Sequence, residues 1–301
     1  MRNRMIDLIQ TWAKTDERVV FLTGDLGFSV VEPLAEQLGS RFINVGVAEA
    51  NMVGMALGLA KSGLRPVVYT IAPFLYARAL EQVRNDLSQP NADVMMVGIG
   101  AGAMYGLAGS SHLALDDAHI ISALPNVRVY TPAGAGELDW CFQDARAHEG
   151  PSYFRLGVAG HDDPPLKSGA QVTWQPGQAL NLVTAGAMMA ECQQAVAASG
   201  VDANLISLPL TSPVDIPALA ARLVNAPTLT VFEGFAGNPL EFAVLSALAQ
   251  RGDGQSVEHM NMGQAWPQTP GDRLALRAAQ GLDVDTLTAR VRAMARQTVS
   301  V

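Results

Sequence analysis

The sequence predicts an α/β protein made of two doubly wound domains, each with a mostly parallel sheet. Three observations carry this. Short apolar runs alternate with helix-like segments from end to end. The runs are continuously apolar rather than alternating, as in strands covered on both faces. A polar stretch with adjacent prolines, Gly160-His-Asp-Asp-Pro-Pro-Leu-Lys-Ser-Gly-Ala170, splits the alternation in two. The 301 residues suit two domains of about 150 each, placed at 1–160 and 177–301 with a linker over 161–176.

In the first half the strands are expected at Val19–Thr23, Phe42–Val45, Pro66–Thr70, Val94–Ile99, Val127–Thr131 and Ser152–Arg155. Helices are expected between them at Arg4–Lys14, Val30–Gln37, Ala48–Ala60, Pro73–Leu87, Ala114–Leu124 and Ala135–Ala147. Gly46 ends the second strand, and prolines bracket the fifth. In the second half, strands at Ala179–Thr184, Asn204–Leu208 and Thr228–Glu233 alternate with helices at Ala190–Ala198, Ile216–Val224 and Leu240–Gln250. A final helix is expected over Asp285–Arg296. Chains of this size bury roughly 70% or more of the unfolded surface, so no disulfide or metal staple is required.

Composition removes several function classes. A net charge of -8 without any Lys/Arg-rich run disfavours nucleic-acid binding. Cys141 and Cys192 are isolated within helical patterns, without metal or redox spacing, which fits buried thiols in a reducing cytosol. No apolar run approaches a membrane span. The N-terminus, with Asp7 and no apolar core, does not read as a signal peptide. A cytoplasmic location is the expectation.

Chemistry concentrates in the first half. In Arg41-Phe-Ile-Asn-Val-Gly-Val-Ala-Glu-Ala-Asn-Met52, Glu49 interrupts an apolar passage at a strand-to-helix turn, where open α/β sheets place ligands. A carboxylate there is favoured by the helix dipole; buried, it must be solvated, paired or used. Phe74 and Tyr76 lie at the next such turn, in Val68-Tyr-Thr-Ile-Ala-Pro-Phe-Leu-Tyr76. A glycine-rich loop, Gly98-Ile-Gly-Ala-Gly-Ala-Met-Tyr-Gly-Leu-Ala-Gly-Ser-Ser-His112, leaves the fourth strand before Asp116 and Asp117. Its spacing matches neither the dinucleotide fingerprint nor a P-loop, so it reads as a site of close backbone approach. His112 at its end is a candidate acid or base. His119, His148, His161 and His259 lack partners at diagnostic spacing and read as surface residues, and Glu233-Gly-Phe-Ala-Gly-Asn238 reads as a surface or interface loop.

Three segments together resemble the transketolase family of thiamine diphosphate enzymes. Asn44-Val-Gly-Val-Ala-Glu-Ala-Asn-Met-Val-Gly-Met-Ala-Leu-Gly-Leu-Ala60 looks like its pyrimidine-domain motif. Gly109-Ser-Ser-His-Leu-Ala-Leu-Asp-Asp117 resembles its Gly-Pro-Thr-His segment, and Leu124-Pro-Asn-Val-Arg-Val-Tyr-Thr-Pro132 its Ile-Pro-Asn stretch. The second half looks like the transketolase C-terminal domain. Absent is the family's diphosphate-binding domain with its Gly-Asp-Gly; Gly24-Asp-Leu-Gly27 has Leu at the third position and matches the opening of the pyrimidine domain instead.

The resemblance implies the C-terminal subunit of a split transketolase-like enzyme that moves a two-carbon ketol, or related acyl, unit from a ketose-type donor to an aldehyde. An N-terminal transketolase-like partner subunit would supply the diphosphate site and Mg2+, in an α2β2 heterotetramer, with no metal ligand in this chain. Glu49 would contact N1′ of the aminopyrimidine and Phe74 would stack on it, with Ile71 in place of a second aromatic. Asp25 would lie near the cofactor across the interface, and His112 would face the donor substrate. Arg2, Ser29 and Arg155 fall near substrate-binding positions of relatives. Where sugar-phosphate transketolases carry an Asp four residues before that His, for a donor hydroxyl, and a His twelve before it, for the phosphate, this chain has Ala108 and Gly100; the loss of the Asp weakens the case for a ketose donor in particular. Two alternatives stay open: the beta subunit of a 2-oxo acid or acetoin dehydrogenase, and a non-catalytic regulatory homologue.

Overall fold

A computed structural model describes residues 1–27, 29–158, 169–252 and 254–299. His161, Pro164 and Pro165 of the expected linker lie outside the described residues. The first half runs α1 (Arg2–Ala13), β1 (Val19–Thr23), α2 (Glu32–Leu38), β2 (Phe42–Asn44), α3 (Glu49–Lys61), β3 (Arg65–Ile71), α4 (Ala72–Tyr76), α5 (Leu80–Gln82) and a π-helical stretch, Val83–Ser88. It continues with β4 (Met95–Ile99), α6 (Asp117–Ser122), β5 (Arg128–Tyr130), α7 (Ala135–Ala147) and β6 (Ser152–Leu156). The second half holds β7 (Val172–Gln175), β8 (Leu180–Thr184), α8 (Met189–Ser199), β9 (Ala203–Ser207), β10 (Leu210–Ser212) and α9 (Ile216–Arg222). It ends with β11 (Thr228–Val231), α10 (Pro239–Arg251), β12 (Val257–Met260), α11 (Arg273–Ala278) and α12 (Val284–Ala295).

Among the described residues these strands form two sheets, in the orders β10-β5-β6-β4-β3-β1-β2 and β12-β11-β8-β9-β7. All pairings are parallel except those of the edge strands β10 and β7. Strands β1 and β4 are buried along their whole length, because α1, α2 and α7 cover one face of the first sheet. The opposite face is covered by α3, α4, the π-helical stretch and α6. The second sheet is sandwiched likewise, by α8 and α12 on one face and α9 and α10 on the other. The α/β reading of the sequence stands.

Four details differ from the sequence expectation. The helix expected over Pro73–Leu87 is broken at 77–79, where the N–H groups of both Ala77 and Arg78 bond to the Pro73 carbonyl. Ala114–Leu124 shortens to α6, because Ala114 instead exchanges backbone hydrogen bonds with Gly102. Val172–Gln175, counted as linker, is an edge strand whose Trp174 is buried. Finally β10, from the second half, completes the first sheet by pairing with β5.

The two halves are joined through buried charges. Arg155, only 3% exposed, donates from Nε to Asp117 Oδ1 at 2.8 Å and from Nη2 to the carbonyls of Ala114 and Glu233. Arg277, also buried, holds both oxygens of Glu233 at 2.7 Å and reaches Glu191. Glu233 Oε1 also accepts the Ala103 N–H, and Trp174 Nε1 donates to Glu137 at 2.7 Å. Glu233 is therefore a buried junction residue rather than part of a surface loop. Of the histidines read as surface residues, His148 is exposed, while His119 and His259 are half-buried, with His259 Nδ1 2.7 Å from Thr230 Oγ1.

The glycine-rich loop is packed into this junction. Gly102 has φ +69°, and a Cβ there would be driven into the Glu233 carboxylate. Gly102→Ala is expected to cost at least about 1–3 kcal/mol, the range for non-glycine residues in left-handed backbone. Thermal or urea denaturation of the purified chain checks this.

Candidate active site

Parallel strands place their carboxyl ends along one edge, and ligands of open α/β sheets bind outside that edge. Gly24 and Asp25 follow β1, Glu49 follows β2, Phe74 follows β3, and the loop bearing His112 follows β4.

The turn into α3 is built by Asn44 and Gly46. Asn44 Oδ1 accepts the N–H groups of both Asp25 and Gly46 at 3.0 Å, and its Nδ2 donates to Asp25 Oδ1 at 3.1 Å. Gly46, at φ +70°, adopts the left-handed geometry the turn requires. Asp25 itself has φ +56° and an exposed side chain; Asp tolerates this conformation better than most residues. Glu49 then occupies the first position of α3, favoured by the helix dipole.

Glu49 is 1% exposed. Its Oε2 accepts from Arg78 Nη1 at 2.7 Å. Its Oε1 has no partner among the described residues and faces Gly24, where a Cβ would lie 3.6 Å away. A buried, unsatisfied carboxylate oxygen costs several kcal/mol, so this atom is the strongest pointer to a ligand in the first half. Phe74, half-buried, carries the Arg78 guanidinium 4.4 Å above its ring centroid. The same ring meets His112 edge-on, at 5.1 Å and 72°. His112 lies in a short 3-10 turn, and its Nδ1 is 3.0 Å from Ser111 Oγ.

Behind His112, Tyr76 OH donates to Asp116, and Tyr153 OH donates to Asp117 at 3.0 Å. Burial pushes both phenols well above their ordinary values, so they act as fixed donors. The Asp117 carboxyl is raised too, by burial that outweighs the neighbouring Arg155.

The structure thus brings together Asp25, Glu49, Phe74 and His112. The other three expected residues have surroundings of their own. Arg2 lines a different cleft at the ends of β4 and β6, with Gly100, Tyr105 and Val158. Ser29 is exposed, with φ +66°, and its N–H is bound by Glu32 at 2.7 Å. Arg155 is buried in the junction, where its guanidinium serves Asp117 and two carbonyls. Sequence reasoning missed Asn44 and Arg78. The four-residue spacing from Phe74 to Arg78 was the available signal for the second.

Comparison with known proteins decides the family. The transketolase pyrimidine-binding domain family matches residues 1–158. The chain belongs to the transketolase family. It is 32% identical over 229 residues to a 6-deoxy-6-sulfo-D-fructose transketolase subunit, SqwH, of Clostridium sp. (strain MSTE9), covering 73% of this chain and 71% of the relative. It is 27% identical over 266 residues to an apulose-4-phosphate transketolase subunit of Actinobacillus succinogenes, covering 85% and 86%. Among solved structures it resembles a split gene transketolase, described as an inactive β4 tetramer, with a TM-score of 0.84 and 27% identity over 98% of this chain and 97% of that one. The transketolase family implies dependence on thiamine diphosphate, and the chain matches relatives that are themselves named as subunits over most of their length. Among the described residues no three His, Cys, Asp or Glu side chains converge as metal ligands would, and no helix is long and apolar enough to cross a membrane.

Proposed function

We propose that the chain supplies the pyrimidine-binding half of a thiamine diphosphate site and, with a partner subunit, transfers a two-carbon ketol or related acyl unit between a ketose-type donor and an aldehyde. The partner would hold the diphosphate and Mg2+, in an α2β2 assembly. Residues 1–160 would form the pyrimidine-binding domain, and the chain from β7 onward the C-terminal domain. The unpartnered Oε1 of Glu49 carries the reading. It is a buried oxygen with no donor among the described residues, on a carboxylate that shares Arg78 with the Phe74 ring, at the edge where ligands of open α/β sheets bind. The names of the subunit-type relatives, and the description of the β4 neighbour as inactive, support the need for a partner.

Thiamine diphosphate, when bound, supplies a nucleophilic carbon and an electron sink for cleaving the bond beside a carbonyl. The residues of this chain fit that group. Glu49 Oε1 would hold the proton it shares with N1′ of the aminopyrimidine. Phe74 would offer its face to the same ring. Asp25, fixed by Asn44, would contribute from the exposed side. His112, oriented by Ser111 at Nδ1, would keep Nε2 for the donor's hydroxyl or carbonyl. Positioned proton transfers of this kind are each worth about 10²–10⁴ in rate.

Transfer activity is expected only when this chain, the diphosphate-binding partner, thiamine diphosphate and Mg2+ are combined with a ketose donor and an aldehyde, with the products analysed. A complex that instead consumes a 2-oxo acid with an artificial electron acceptor, and no ketose, would overturn ketol transfer.

A further inference from the structure

Arg78 has no part in the chemistry described above, yet it holds both groups assigned to the aminopyrimidine. Its Nη1 bonds Glu49 Oε2 at 2.7 Å, and its guanidinium carbon lies 4.4 Å above the centroid of Phe74. A guanidinium is planar and delocalised, with N–H donors in its plane and a face that stacks on aromatics. An aminopyrimidine shares two of these features, a flat nitrogen-rich ring and a stacking face. Arg78 lies four residues after Phe74, the spacing that stacks two side chains on one face of a helical turn, and the Ala77 and Arg78 N–H groups still bond to the Pro73 carbonyl. The two ends of the ion pair differ sharply in burial: Arg78 is 46% exposed and Glu49 1%. Glu49 needs a counter-charge when no ligand is bound. Arg78 can leave for solvent at little cost once one arrives.

We propose that Arg78 is a built-in stand-in for the cofactor ring over Phe74, paired with Glu49 through Oε2 and leaving Oε1 open. It neutralises Glu49 and covers Phe74 in the unassembled subunit, and thiamine diphosphate displaces it when the complete site forms. This rests on the assignment of Glu49 and Phe74 to the aminopyrimidine. The stand-in keeps the lone subunit from exposing an unpaired buried carboxylate. It also lowers the apparent affinity for the cofactor by the fraction of time the site is occupied by arginine: a site blocked nine-tenths of the time binds about tenfold more weakly.

The test is calorimetric and stopped-flow titration of thiamine diphosphate with Mg2+ into complexes of the partner subunit with wild-type chain, Arg78→Gln and Arg78→Lys. The melting temperature of each lone chain is measured alongside. Arg78→Gln is expected to bind the cofactor about tenfold tighter, mainly through faster association, while its lone chain melts lower because Glu49 has lost its counter-charge. Arg78→Lys keeps a charge without the planar cover, and is expected to restore the melting temperature yet bind the cofactor faster than wild type. Unchanged or weaker cofactor binding in Arg78→Gln, beside a wild-type complex that binds normally, would overturn the proposal and make Arg78 a fixed support of Glu49. A wild-type complex that binds no thiamine diphosphate at all would overturn the functional reading, and the stand-in with it.

Discussion

Glu49→Gln lowers turnover of the assembled enzyme by about 10²–10⁴-fold, the usual yield of a positioned proton transfer, without unfolding the chain. The amide keeps the shape of the carboxyl and can still meet Arg78, so packing around Met52 and Val53 is undisturbed. What it removes is the acid-base oxygen. Burying a neutral amide also costs less than burying a carboxylate with one oxygen unpartnered, so the variant's melting temperature should equal or exceed that of wild type. Steady-state kinetics and thermal melts on the same preparation check both halves. Unchanged turnover would remove Glu49 from the chemistry, and a collapse in stability would mark it as structural.

Arg155→Met is the second large effect, and it acts on stability. The substitution leaves Asp117 buried without its counter-charge and strips a donor from the carbonyls of Ala114 and Glu233. Breaking a buried pair from one side costs about 3–5 kcal/mol, on the order of 10 °C in melting temperature for a chain this size. The loss carries a pH signature. The Asp117 carboxyl already lies above its ordinary value, and removing Arg155 raises it further. A carboxyl raised in the folded state holds a proton that the unfolded chain releases. Its contribution is therefore complete below the unfolded value, about pH 4 for Asp, and is lost as pH rises through the folded value. The variant should lose stability more steeply than wild type as pH rises above about 4. A parallel pH dependence in the two proteins would show that Asp117 is not the group left exposed to the loss.

The fold was legible where burial is two-sided. Val19–Thr23 and Ala135–Ala147 occur with the bounds read from their apolar content. What escaped were short or junctional pieces. The three residues of β10 are too few to carry a period, and they owe their strand to β5, some eighty residues earlier. In the Val-Thr-Trp-Gln stretch of β7 the tryptophan is buried through a bond to Glu137 that lies outside any local window.

The candidate site divides along the same line. Glu49 was legible because a lone carboxylate in an apolar turn demands a reason, and Phe74 and His112 stood out at the ends of neighbouring strands. At Arg155 the sequence shows a lone charge at a strand end, while the partner the structure gives it, Asp117, lies thirty-eight residues earlier. Arg78 stayed hidden because its charged partner, Glu49, lies twenty-nine residues earlier, although the four-residue spacing from Phe74 already put Arg78 and that ring on one helical face.

The most direct test of a shared site is calorimetric titration of thiamine diphosphate and Mg2+, first into this chain alone and then into its complex with the diphosphate-binding partner. Binding is predicted only after mixing, and it should weaken when the partner is mixed with Phe74→Ala. Tight binding to the chain alone would contradict a shared site, since the diphosphate would then be held by residues of this chain.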